Sequence, residues 1–265
     1  MLAASSAIAP SLTKDLRVGA CTDRRRHADA AIDWIGWPAG LVKLADADVY
    51  VIHAPELVER RAQLAAALDA NRLAATWIDD PVAGSLDDAL VRRFYRASRR
   101  SWSQRSRSTR PIPFRQLSDR EIAVTIAHAQ TLARIGRSSR DWAIVLEDDA
   151  VLAPGFANEF DQWFADLPAD ADVVYLGSCC GLRIADAVPD EHFYRKEHPA
   201  TKCSDSTLYS RDAAAALARE LVPFSLTIDW ELNHHLRRLD LAVYWLEPPL
   251  VTQGSETGIY SSSQR

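Results

Sequence analysis

The run Trp142-Ala143-Ile144-Val145-Leu146, ending directly in Glu147-Asp148-Asp149, constrains this chain more than any other segment. Five consecutive apolar residues without alternation suit a strand buried on both faces, and such strands belong to sheets covered by helices. Three adjacent carboxylates at the edge of an apolar core repel one another unless something positive offsets them. Ligands of α/β sheets gather at the carboxyl ends of strands. A hard divalent cation, Mn2+ or Mg2+, favours oxygen ligands and is therefore the expected partner of Glu147, Asp148 and Asp149. An ordinary solvated acidic turn is the alternative.

The flanking segments continue the alternation. Asp48 opens a short β-branched run, and Leu57, Leu64 and Leu68 follow at helical spacing; residues 75–80 read as a second strand, making a βαβ unit. Residues 86–101 have helical periodicity with a basic outer face. Ser118 and Glu121 have the spacing of a capping box ahead of Ile122, Ile126 and Leu132. A helix is expected after Pro154-Gly155 through Phe156, Phe160 and Phe164, then a buried strand over 173–176 closed by Gly177. A strand around Leu208, a helix from Arg211 capped by Ser210, and a terminal strand within 242–251 complete the pattern. It predicts an α/β domain over residues 48–265 with one Rossmann-like mixed sheet flanked by helices. An N-terminal extension over 1–47 precedes it, in which Trp34 and Trp37 suggest some packing.

With 48% hydrophobic and 25% charged residues the chain can bury a core, and its net charge of -5 argues against nucleic acid as a partner. Cys21, Cys179, Cys180 and Cys203 form no C-x-x-C pair or zinc spacing, so reduced thiols in a cytoplasmic protein are expected. Residues 1–12 lack the basic start of a signal peptide, and no apolar stretch has the length to cross a bilayer. The basic segment 92–115, with a flexible loop over about 101–113, reads in three ways. It is a peripheral contact with an anionic glycolipid surface or acceptor phosphates, a lid over bound donor, or a solvated face.

Several segments, in order, resemble glycosyltransferase family 25, the group of bacterial lipooligosaccharide galactosyltransferases and collagen galactosyltransferases. They are VYVIHAPELVERR from Val49, LSDREIAVTIAH from Leu117, IVLEDDA, VVYLG, TLYSRDAAAAL, and IDW followed by YWLEPPLVTQGSETG. Where the family carries Asn-Leu, Gly-Cys, Ser and Tyr, this chain has His53-Ala54, Ala123-Val124, Ala127 and Thr207. The resemblance implies a GT-A fold, UDP-galactose as donor, inversion at the anomeric carbon, and a glycan or glycolipid acceptor, as in lipopolysaccharide biosynthesis.

Inverting transfer needs a Lewis acid on the leaving diphosphate and a base on the acceptor hydroxyl. The expected base is Asp229, whose alternative role is a helix N-cap, with Glu231 in reserve. The resemblance assigns the donor side to His53, Ala54, Glu121, His128, Gly177 and Thr207, and the acceptor or pocket side to Trp230, Gln253 and Ser255. Arg60 and Arg61 are expected at the phosphates, since guanidinium forks suit oxyanions. Glu121 is equally explained by its capping box, and His128 by a half-buried core position. Two rival readings stay open: a metal-dependent phosphohydrolase or nucleotidyltransferase using the same triplet, and a catalytically degenerate fold kept for binding.

Overall fold

A computed structural model describes residues 42–97, 115–178, 182–196 and 203–261. The expectations for residues 1–41 and for the loop 101–113 lie outside these residues. The buried run is strand β3 (Trp142–Glu147), with four consecutive buried positions from Ala143 to Leu146. It pairs in parallel with β1 (Asp48–Ile52), which pairs in parallel with β2 (Thr76–Ile78), so Ile78, Ile52 and Glu147 end at one level. Between β1 and β2 runs α1 (Val58–Ala70), burying Leu64 and Leu68; Leu57 sits outside it as the N-cap. The expected βαβ unit is present.

The second helix is shorter than its periodicity implies: α2 (Asp88–Phe94) stops where Tyr95 turns extended and bridges Phe224. The backbone pairing of Phe94 and Arg96 with Phe224 competes with further helix, and Arg92, Arg93 and Arg96 are exposed. The capping box forms at α3 (Asp119–Ile135), which buries Ile122, Ile126 and Leu132. Strand β4 (Ala150–Leu152) precedes α4 (Phe156–Trp163), entered through Gly155 at φ +77°, a left-handed conformation that glycine adopts without a Cβ clash. Phe160 and Phe164 stack at 3.9 Å beneath the sheet. There follow β5 (Val173–Tyr175), β6 (Gly177–Ser178), β7 (Phe193–Arg195), β8 (Ser206–Ser210), α5 (Arg211–Glu220), α6 (Ile228–Arg238), β9 (Val243–Leu246), β10 (Val251–Gln253) and α7 (Gly254–Thr257).

The main sheet is mixed, in the order β2-β1-β3-β8-β5-β9-β7, with β8 antiparallel to both of its neighbours. Its two faces are covered by two apolar clusters, one around Phe156, Phe160 and Phe164, the other where α3, α5 and α6 pack. Val42 and Leu44, within the expected extension, are buried in the first cluster. The single sheet expected from the sequence is in fact two: β4, β10 and β6 form a small second sheet above the carboxyl end of β3. These strands have two or three residues each, too short for periodicity to reveal. Among the described residues no helix is long and apolar enough to cross a membrane.

Helices α3 and α5 touch through Gly136, where an added Cβ would lie 2.8 Å from the Ala215 Cα and 2.9 Å from its Cβ. Gly136→Ala is expected to cost about 1–3 kcal/mol by overpacking. Ala215→Gly in the same chain should recover little of it, because the Ala215 backbone Cα stays at 2.8 Å. Urea midpoints of the two single variants and the double variant measure this.

Candidate active site

The three consecutive acids at the end of β3 point to three different parts of the molecule. Glu147 accepts through Oε1 from the Ser204 hydroxyl at 2.7 Å and faces the His128 Nε2 of α3 at 3.2 Å. Asp148 turns the other way, toward α1. Its Oδ1 accepts from Arg60 Nη1 at 2.9 Å, and its Oδ2 lies 3.1 Å from the Ala54 N–H and 3.2 Å from His53 Nδ1. Asp149 is only 4% exposed, beside Ser255, with its Oδ1 lacking any hydrogen-bond partner. The sequence offers all three as metal ligands, Asp149 first among them. In the fold Asp148 already has partners for both oxygens, a buried guanidinium, a histidine and a backbone amide, whereas Asp149 Oδ1 has none.

Two more carboxylates arrive from other elements. Asp229 lies in the first turn of α6, where Thr227 is the N-cap, so the capping alternative for Asp229 falls away. The Ser204 hydroxyl reaches its Oδ1 at 2.8 Å. Asp205, absent from the sequence reading, is 1% exposed and accepts from the Ser206 hydroxyl at 2.9 Å, while its carbonyl accepts the Glu147 N–H at 2.8 Å. Gly177 makes room for it: a Cβ there would sit 2.4 Å from Asp205 Oδ2 and from Ser206 Oγ. Gly177 thus has a packing reason to lack a side chain, and it lines neither of the two cavities at these carboxylates.

Burial, then the Glu147 charge, pushes the Asp149 carboxyl up against the opposing effect of Ser255. Burial followed by Glu147 and Asp149 raises Asp205 well above the usual carboxylate range. Burial and Glu147 raise Asp229 to about 6. Glu147 alone goes down: burial opposes ionisation there, but the His128 bond and charge and the Ser204 hydroxyl outweigh it. The cluster is an excess of negative charge that lacks a full complement of cations within the fold.

Two cavities meet at these carboxylates. The first, about 110 Å3, runs between the ends of β1 and β2 and the first half of α3. Its apolar walls are Ile52, Ile78, Pro81, Val82, Ala123 and Ala127, and Glu147, Asp148, Asp149, Gln253 and Ser255 are its acidic and polar lining; His53, Ala54 and Arg60 also line it. The second, about 300 Å3, holds Arg115, Glu121, Thr125, Ser204, Thr227 and Asp229. Glu147, Val124 and Gln253 are common to both. Gln253, Ser255, His53 and Ala54 thus line the first cavity, and Glu121 lines the second, where it also pairs with Arg115.

Other candidate residues have partners or positions within the fold itself. Arg60 is 6% exposed and locked between Asp148 and the Ser261 carbonyl. Arg61 pairs with Asp79 at 2.9 Å and lies over the Trp77 ring at 4.4 Å, away from both cavities. Thr207 is 1% exposed inside the sheet, and Trp230 lines neither cavity. His128 lies behind Glu147 at 2% exposure and orients it. Glu231 is fully buried and accepts from the Ser225 and Leu226 N–H groups at 2.6 and 3.0 Å, so the reserve base is instead a brace for the turn before α6. Cys203 is disulfide-bonded, against the reduced thiols expected, and the other three cysteines lie outside the described residues.

The raised Asp229 value fixes a sign. From about pH 4 to about 6 the folded protein keeps a proton that the unfolded chain has released, so this carboxyl costs stability increasingly through that window and fully above it. Asp229→Asn is expected to stabilise the ligand-free protein by roughly 2–3 kcal/mol at pH 7 and by nothing below about pH 4, read from urea midpoints across pH. No protein-family model matches this chain, and no curated protein matches it.

Proposed function

We propose that this chain is an inverting glycosyltransferase of GT-A type, similar to family 25. It moves a hexose, galactose above all, from a UDP-sugar to a hydroxyl of a glycan or glycolipid. One observation carries the reading: two adjoining cavities share Glu147, Val124 and Gln253, with Asp149 lining the first and Asp229 the second. Inversion requires leaving group and nucleophile on opposite faces of the anomeric carbon, and two cavities with a shared wall give donor and acceptor separate places beside it.

The apolar walls of the first cavity suit a nucleobase, and its acidic lining suits a diphosphate only with a cation between them. Among the described residues no group of three or more His, Cys, Asp or Glu converges on one metal position. A Mn2+ or Mg2+ held by one or two carboxylates and completed by donor phosphates needs no such group. Asp149, with its orphaned Oδ1, and Glu147, whose two bonds both use Oε1, would hold this ion. Such an ion would offset the charge of the leaving diphosphate.

In the second cavity Asp229, held near pH 6, takes the acceptor hydroxyl proton at neutral pH. The acceptor oxygen bonds to the anomeric carbon as the bond from that carbon to the phosphate oxygen breaks, and the electron pair leaves with the nucleoside diphosphate. His128 keeps Glu147 ionised and oriented, and Arg60 offsets the charge of Asp148 at the wall of the first cavity. Ala123 and Ala127 line the base slot where the family has Gly and Ser.

Thermal unfolding with UDP, UDP-galactose, UDP-glucose, GDP-mannose or CMP, each with Mn2+ or EDTA, tests the reading. Uridine nucleotides are expected to raise the midpoint in Mn2+ only, by an amount equivalent to about 2.7 kcal/mol at a hundredfold excess over Kd. Asp149→Asn should remove the Mn2+ dependence with the fold retained. Ala127→Phe, which fills the slot, should remove the nucleotide response altogether. No response to any nucleotide by the unaltered chain would instead favour a binding protein on a degenerate fold.

A further inference from the structure

We propose that Ser204 is a positioning residue that holds Asp229 for proton abstraction; this rests on the transferase reading above. Ser204 is 3% exposed and lines the second cavity. Its hydroxyl stands 2.8 Å from Asp229 Oδ1 and 2.7 Å from Glu147 Oε1, and its backbone N–H also bonds Asp229. One short side chain thus fixes the carboxylate of the second cavity relative to the carboxylate shared by both.

A hydroxyl carries one proton and donates to one acceptor at a time. Glu147 Oε1 has a second partner in His128 Nε2 at 3.2 Å, so the Ser204 proton is free to serve the ionised Asp229. When Asp229 has taken the acceptor proton, the same hydroxyl turns to Glu147. Asp229 keeps its place in both states. Ser204 is itself held from both sides: Cys203 before it is disulfide-bonded, and the Asp205 carbonyl after it accepts the Glu147 N–H. An Asp229 lacking this tether would be an acid on the first turn of a helix with alternative rotamers, and a misplaced base abstracts poorly.

The probe is UDP-galactose with Mn2+ and water as acceptor, using the full chain and following UDP release. Ser204→Ala is expected to lower kcat about 10–100-fold, within the range that a positioned base contributes. KM for UDP-galactose and the Mn2+-dependent thermal response to UDP should stay within about twofold. Adding Ser204→Ala to Asp229→Asn should cost nothing further, because the serine acts through the aspartate. A kcat for Ser204→Ala within twofold of the parent, or additive losses in the double variant, overturns the proposal. A crystal structure of Ser204→Ala decides independently of turnover: an Asp229 turned away supports the tether, and an unmoved Asp229 overturns it. Absence of UDP release and of any nucleotide response in the parent chain defeats the transferase reading instead, and the crystal comparison still judges the tether.

Discussion

The buried pairing of Arg60 with Asp148 is the interaction on which the rest of the site depends. It ties α1 to the end of β3 across 88 residues of sequence, and the same guanidinium binds the Ser261 carbonyl at the far end of the chain. A buried ion pair is a poor source of net stability, but losing one partner strands a charge at a cost of about 3–5 kcal/mol. Its value here is directional. By drawing Asp148 toward α1, with His53 and the Ala54 amide completing its bonds, it leaves Glu147 and Asp149 as the two acids of the triplet without an arginine partner.

The remaining geometry follows from one strand that runs against its neighbours. Because β8 is antiparallel to β3, with Leu146 opposite Ser206, its beginning lies beside the end of β3. That brings Ser204 and Asp205 against Glu147 although nearly sixty residues separate them. The small sheet of β4, β10 and β6 closes over the same edge and delivers Gln253 and Ser255. On the other side, α3 contributes two unlike features from successive turns: alanines that leave a slot, and a histidine that binds Glu147. The acids then raise one another's proton affinity wherever no partner intervenes, which separates Glu147 from Asp149, Asp205 and Asp229 in behaviour.

The sequence by itself determined the local elements: the apolar run of β3, the capping box of Ser118 and Glu121, the Ser210 cap and the left-handed entry at Gly155. Each depends on residues within about four positions, where periodicity and cap chemistry act. It also placed acids at the carboxyl end of a central strand, and so located the site. Only the tertiary structure decided which of three adjacent acids is neutralised by Arg60, that Glu231 braces a turn while Asp229 meets a cavity, and that Asp205 belongs to the cluster at all. Strand order, the antiparallel insertion of β8 and strands of two or three residues leave no periodic trace. The contacts that distinguish otherwise identical carboxylates are set by partners tens to hundreds of residues away.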